Sequence, residues 1–298
     1  MNFIHISSIA ELHQFIGGSK PLHPLITIIR EWPEMDFDFT GVKMTGDLYI
    51  IGFKGANGSI GYGRNSYDFQ EGTMVYISPN QVLSFDETEK DQGKGWTMFF
   101  HPDLMRNSEL GNSIQKFDFF NYTLSESLHI SEKEKQIING FVDFIEAELQ
   151  QNIDKHSQNL IVANLYSLLK YSHRFYDRQF NTRTNLNKDV IIRFEQFLKA
   201  HFEEENSSEK HIPTVVDCGK AMNISPKYLS DLLRSETGRS AKDHIHDYMI
   251  EKAKNMLLGS SKSVSEIAYY LGFEYPQHFS KLFKSKTGYN PTVFRNLN

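Results

Sequence analysis

The sequence predicts an α+β chain. A small β-barrel comes first and two helices follow. An all-α domain then closes the chain, with two helix-turn-helix units joined by a long helix. Three observations predict this. Short apolar and aromatic runs, broken by turn residues, fill about the first 120 residues. Two amphipathic periodicities occupy residues 131 to 180. Most telling is a repeat: Val215–Gly238 (VVDCGKAMNISPKYLSDLLRSETG) returns as Val264–Gly288 (VSEIAYYLGFEYPQHFSKLFKSKTG). The expected division is residues 1–185, with a helical dimerisation segment at about 131–180, and residues 186–298.

Leu48–Lys54, Thr73–Ser78 and Trp96–His101 read as strands, with turns at Ala56–Gly58, Ser78–Asn80 and Gln92–Gly95. Ser131 and Glu134 form a capping-box pattern, behind which Ile137, Ile138, Phe141, Ile145 and Leu149 share one helical face to about Gln150. A second helix runs from about Ser157 to Phe180. Its Ile161, Leu165, Leu168, Ser172 and Phe175 alternate spacings of 4 and 3, a heptad-like seam. That seam suits either packing on the barrel or a dimer interface. Asn181–Asn187 reads as a polar hinge. Val190, Phe194, Phe197 and Leu198 mark another helix, Glu203–Lys210 a charged linker, and Pro213 the approach to the first repeat.

The copies align at an offset of 49 through Val215/Val264, Asp217/Glu266 and Met222/Leu271, then at 50 through Ser230/Ser280 and Gly238/Gly288. One residue is inserted in the second turn. In that copy Ser263 caps a helix with Val264, Ile267, Ala268 and Leu271 inward. Gly272 ends it, Phe273 plugs the core, and Pro276 opens a helix burying Phe279, Leu282 and Phe283. Ala268, like Gly219 in the first copy, lets the helices cross closely. Ser240–Leu258 reads as the joining helix, with Ile245, Met249, Ala253, Met256 and Leu257 inward.

Bulk properties agree. The 298 residues, 39% of them hydrophobic, allow about two domains with real cores. No run approaches the roughly 18 apolar residues of a membrane span. The N-terminal residues show no signal-peptide pattern, and the single Cys218 excludes an internal disulfide; a cytoplasmic protein is expected. The net charge of −5 hides an asymmetry: residues 210–298 hold 13 Lys and Arg against 8 Asp and Glu, whereas residues 1–209 hold 19 against 29. A basic end behind an acidic body fits nucleic-acid binding confined to one end.

The C-terminal region resembles the DNA-binding domain of the AraC/XylS transcription regulators over about Ile212 to Phe294. The resemblance is carried by AKNMLL (Ala253–Leu258), by SVSEIAYYLGFEYPQHFSKLFKSKTGYNP (Ser263–Pro291) and by ETG (Glu236–Gly238). Met249 departs from it, since many members carry Arg there. The resemblance implies two recognition helices in successive major grooves. Carried over by position, it implies base-facing Lys227, Ser230 and Asp231 in the first unit and Pro276, Gln277, Ser280 and Lys281 in the second. Gln277 suits adenine and the lysines suit guanine; Asp231 accepts from cytosine or excludes by repelling phosphate. Arg234, Lys284 and Lys286 read as phosphate contacts, although any lysine here also suits a solvated helix face.

The family plan further implies an N-terminal cupin-like barrel that senses a ligand, followed by dimerising helices. Gly72, Ser78–Asn80 and the Trp96–His101 strand look like regulatory-cupin features. An effector pocket would be lined by Tyr49, Phe53, Tyr62, Tyr67, Phe69, Tyr76 and Trp96, the alternative for each being ordinary core. The partners expected are double-stranded DNA and, as open possibilities, a small-molecule effector, a second copy of the chain and RNA polymerase. The other reading makes the N-terminal half a dimerisation or protein-interaction module without a ligand. No enzyme activity, metal or cofactor is expected. Leu48 to Phe100 contains no histidine and His101 stands alone, short of about three converging ligands. His244 and His246, two apart on a helix, do not share a face.

Overall fold

A computed structural model describes residues 3–32, 42–54, 72–84, 95–123, 126–152, 154–182, 184–203 and 211–296. The chain divides into two units, Met1–Gln179 and Phe180–Asn298.

In the first unit β1 (Phe3–Ile6) leads to α1 (Ile9–Phe15), capped where the Ser8 side chain accepts from the Glu11 amide. Then come β2 (Ile26–Ile29), β3 (Lys43–Gly46), β4 (Tyr49–Lys54), β5 (Thr73–Ile77), β6 (Leu83–Ser84) and β7 (Gly95–Phe100). After short helical turns, including α2 (Glu109–Ser113), β8 (Leu128–His129) completes the strands. Two sheets form, β1-β3-β6 and β2-β7-β4-β5-β8. The three long strands stand where the sequence placed them. The expected closed barrel is corrected: among the described residues both sheets are open. Ile6, Ile9, Leu12, Ile29 and Phe99 build a core between them.

The larger sheet turns its other face to the helices. Strand alternation and register put Tyr49, Ile51 and Phe53 beside Tyr76 and Trp96 on that face. It is covered by Phe119 and Phe120, by α3 (Glu132–Leu149) and by α4 (Ser157–Thr182). The capping box at Ser131 and Glu134 is present. The buried stripe of α3 is Ile138, Val142, Ile145 and Leu149, spaced 4, 3 and 4; Ile137 stands one residue off it and is exposed, which corrects its assignment to the inner face. Arg30, just after β2, ties α3 to the sheet through Asp143 at 2.6 Å and Glu146 at 2.5 Å. The seam of α4 is fully enclosed, with Ile161, Leu165, Leu168 and Ser172 at 0% exposure. Neighbouring rings of α4 pack on Phe117, Phe119 and Phe141. Of the two readings of the seam, packing is the one these side chains serve.

The polar stretch 181–187 is helical on both sides of residue 183, which lies outside the described residues. There α4 ends at Thr182 and α5 (Thr184–Glu203) begins. Asn187 explains part of this: buried, it donates to the Phe180 carbonyl and to Glu236 Oε1, both at 2.5 Å. The linker at 204–210 and the turn at 56–58 lie outside the described residues, as does most of the turn at 92–95.

The second unit is helical: α6 (Val215–Met222), α7 (Pro226–Thr237), α8 (Ala241–Gly259), α9 (Val264–Tyr270), α10 (Pro276–Thr287) and α11 (Pro291–Arg295). Phe194, Phe202, Leu229, Leu233, Met249, Ala253, Phe279 and Phe283 meet in one core. Met249 is fully buried, so an apolar side chain there leaves no charge to be satisfied.

Candidate nucleic-acid interface

Each recognition helix is set by the turn before it. In the first unit Asn223 takes a left-handed conformation (φ 56°) and the Ile224 amide donates to the Gly219 carbonyl at 3.0 Å. In the second, Gly272 (φ +89°) stands at the aligned position and the Phe273 amide donates to the Ala268 carbonyl at 3.0 Å. Only Gly, and Asn next best, visits this region readily, so both copies solve one turn alike. A Cβ on Gly219 would lie 2.7 Å from the Ile224 carbonyl oxygen, so the small residue is required by the turn. The inserted residue changes the entry to the second helix: Ser225 caps α7 by accepting from the Tyr228 amide, but Tyr275 offers α10 no side-chain cap. Both helices begin with proline and stop at a left-handed glycine, Gly238 and Gly288, whose amides bond back to Arg234 and Lys284 at 2.9 Å.

On α7, Lys227 and Asp231 pair at 3.5 Å, one helical turn apart. Asp231 therefore orients its neighbour and offsets its charge. Ser230 is half-buried and donates to the Pro226 carbonyl at 3.0 Å, leaving its oxygen to accept; Arg234 is exposed. On α10, Gln277, Lys281 and Lys284 are exposed, while Pro276 and Ser280 are half-buried. These residues thus gather on one side of each helix, opposite Leu229 and Leu233 or Phe279 and Phe283. Lys286 does not join them. It turns to α8 and pairs with Asp247 at 3.1 Å and Asp243 at 3.4 Å. The sequence gives no local signal for that pair, whereas the i, i+4 spacing of Lys227 and Asp231 does announce theirs.

The linking helix α8 has 19 residues, about 28 Å at ~1.5 Å each. Successive major grooves on one face of B-DNA recur at ~34 Å. Arg295 of α11 fixes the far end of α8 by donating to the Leu257 and Lys262 carbonyls at 3.1 and 2.5 Å. Cys218 is buried in the first unit, and desolvation pushes its thiol up to about 12.

The expected effector residues stand elsewhere. Tyr49 stacks on Phe100 at 5.1 Å, and Tyr76 meets Phe119 at 4.5 Å. Burial pushes the Tyr76 hydroxyl well above its usual range. Phe53 packs on Trp96, whose Nε1 donates to Asn139 at 2.9 Å. All four are sealed between sheet and helices. Tyr62, Tyr67 and Phe69 lie outside the described residues. His101 caps the following turn by accepting from the Asp103 amide, and no cluster of metal-ligating side chains occurs among the described residues. No helix among them is long and apolar enough to cross a membrane.

Comparison with known proteins agrees with the helical geometry. A family described as a helix-turn-helix domain matches residues 218–297. The Msm operon regulatory protein of Streptococcus mutans is 31% identical over 37% of this chain, which spans 45% of that protein. The lactose operon transcription activator of Staphylococcus xylosus is 25% identical over 84% of this chain and 83% of its own length. The C-terminal domain of AraT, a response regulator from Geobacillus stearothermophilus, is 28% identical over 37% of this chain and 85% of that one, with a TM-score of 0.33. The second unit is a helix-turn-helix DNA-binding domain of the AraC type. The Streptococcus and Staphylococcus relatives are both operon regulators by name.

Proposed function

We propose that the chain is a sequence-specific transcription regulator that reads a bipartite DNA site with α7 and α10. The repeat carries this reading: two helix pairs with the same left-handed stops, joined by a helix whose length suits successive grooves. The two DNA patches lie about 10 base pairs apart and need not form a palindrome. Likeness over 84% of the chain to an activator of a lactose operon supports operon control as the role. Selection of binding sites from random duplexes with the full chain tests it. Two short patches one turn apart are expected, and one continuous patch or none overturns it. Binding should also fall steeply with salt, by a log–log slope of ~0.9 per phosphate neutralised, and a flat response contradicts it.

A small-molecule effector in the first unit would have to bind the two DNA-binding states unequally. The space that supports a sensor lies between the sheets, lined by Ile6, Met44, Ile50, Gln81 and Phe99. Its volume is about 30 Å³, room for one water, so an effector would have to part the sheets. The second reading is a dimerisation module without a ligand. On α3, Ile137 and Phe144 point outward at 39% and 65% exposure, seven residues apart on one face. Thermal shift with a panel of mono- and disaccharides, beside sedimentation of wild type and Phe144→Ser, separates them. A sugar-induced shift supports the sensor; a dimer lost in the variant, with no sugar binding, supports the module.

A further inference from the structure

Four charged side chains tie both helix-turn-helix units to one end of the linking helix. Asp243 and Asp247 stand one turn apart on α8. Arg239, in the turn after α7, pairs with Asp247. Lys286, in the last turn of α10, reaches Asp247 at 3.1 Å and Asp243 at 3.4 Å. Asp247 therefore holds one cation from each unit. The contact is partly enclosed, with the Asp247 and Lys286 side chains 30% and 28% exposed, so salt screens it less than an open surface pair. Asp243 is itself held in place: Ser240 Oγ donates to it at 2.6 Å, and that hydrogen bond first, then Lys286, keeps its carboxyl below the usual range. The arrangement has no counterpart in the first copy. The residue aligned with Lys286 is Glu236, which accepts from Asn187 of α5 instead.

We propose that Arg239, Asp247 and Lys286, with Asp243, form a positioning clamp that fixes the phase between α7 and α10. The clamp thereby sets the spacer length tolerated between the two DNA patches. This rests on the DNA-reading function proposed above. One added base pair moves a patch ~3.4 Å along the duplex and turns it by roughly 35° around the axis. A clamped pair of helices meets one spacer well; a loosened pair accommodates its neighbours. The positive charge of Lys286 is committed to the carboxylates, so its removal should leave the phosphate contacts intact.

The test uses the full chain and duplexes selected from random DNA, with the spacer between patches shortened or lengthened by one base pair. Wild type should lose about tenfold or more in affinity at the altered spacers, the size of one mismatched contact. Asp247→Asn and Lys286→Met should each lose less than about threefold there and bind the selected spacer nearly as wild type does. Lys286→Arg should restore the preference. Circular dichroism shows which variants fold, and Lys286→Met, at the rim of the fold, serves if Asp247→Asn does not. Variants that keep the wild-type spacer preference overturn the clamp, as does a wild type without one. Lys286→Met that weakens every spacer alike and lowers the salt slope by about one makes Lys286 a phosphate contact and also overturns it. A wild type that selects no DNA ends the DNA reading itself, a separate outcome.

Discussion

Replacing Gly272 by alanine probes how the second helix-turn-helix unit is seated. Two costs add there. At φ +89° any side chain is strained, by about 1 kcal/mol. The new Cβ would also lie 2.6 Å from the His211 carbonyl carbon and 2.7 Å from the Ile212 nitrogen, backbone atoms that cannot rotate aside. Separating them resembles overpacking a core and adds about 1–3 kcal/mol, for a total of roughly 2–4 kcal/mol. Gly238 and Gly288 provide the control. Their φ values, +73° and +82°, impose the same strain, but nothing lies within 4 Å of either Cβ, so alanine there costs only about 1 kcal/mol. The excess at Gly272 isolates the contact with the segment that leads into α6. Both tryptophans, Trp32 and Trp96, lie in the first unit, so a transition seen by circular dichroism but not by tryptophan fluorescence belongs to the second. Gly272→Ala should lower that transition by several degrees more than Gly288→Ala, at ~4–8 °C per kcal/mol for a small domain, and leave the fluorescence transition in place. Equal shifts for the two variants would refute the close approach.

Gln277→Ala should weaken DNA binding by ~1–3 kcal/mol and relax preference at one base pair; a site selection with unchanged specificity removes Gln277 from the reading surface. Ser263→Ala removes the hydroxyl that accepts from the Glu266 amide on α9 and should cost about 1 kcal/mol of stability, measured by the midpoint of the helical transition. Cys218 should resist iodoacetamide at pH 8 until the second unit unfolds; rapid labelling of the native chain would show that the thiol is not enclosed. The sign of its pH effect follows. The folded thiol titrates near 12 against 9.0 when free, so its contribution to stability is whole below pH 9 and is lost as pH rises from 9 to 12.

Much of the second unit was legible in the sequence, because its signals are local. Left-handed positions call for Gly or Asn, helix starts for Ser or Pro, and the repeat shows each pattern twice. The first unit was harder to read. β1, β3 and β6 have four, four and two residues, too few for alternation to register, and β1 pairs with a strand remote in sequence. Alternation grouped Tyr49 with Phe53 on one face but carried no information on whether helices or a second sheet would cover it. The same limit applied to the cations. Periodicity found the exposed side of α10 for Lys281 and Lys284. It could not show that Lys286 turns to Asp243 and Asp247, since that contact spans about 40 residues. The heptad spacing of α4 marks a seam but does not say what covers it; the burial of Ile161, Leu165, Leu168 and Ser172 within the chain comes only from the fold.

The first strand has a practical consequence. Phe3–Ile6 lies in parallel register along Lys43–Gly46, and the Asp47 amide donates to the Ile6 carbonyl at 3.0 Å. On its other side, among the described residues, β3 is paired at two positions, by Leu83 and Ser84. Stripping the opening six residues, or burying them under a bulky fusion, would leave β3 a bare edge whose unpaired amides and carbonyls invite a neighbouring molecule's strand. Purified material clipped there should self-associate, and an affinity tag is better carried at the other end or set off by a flexible spacer.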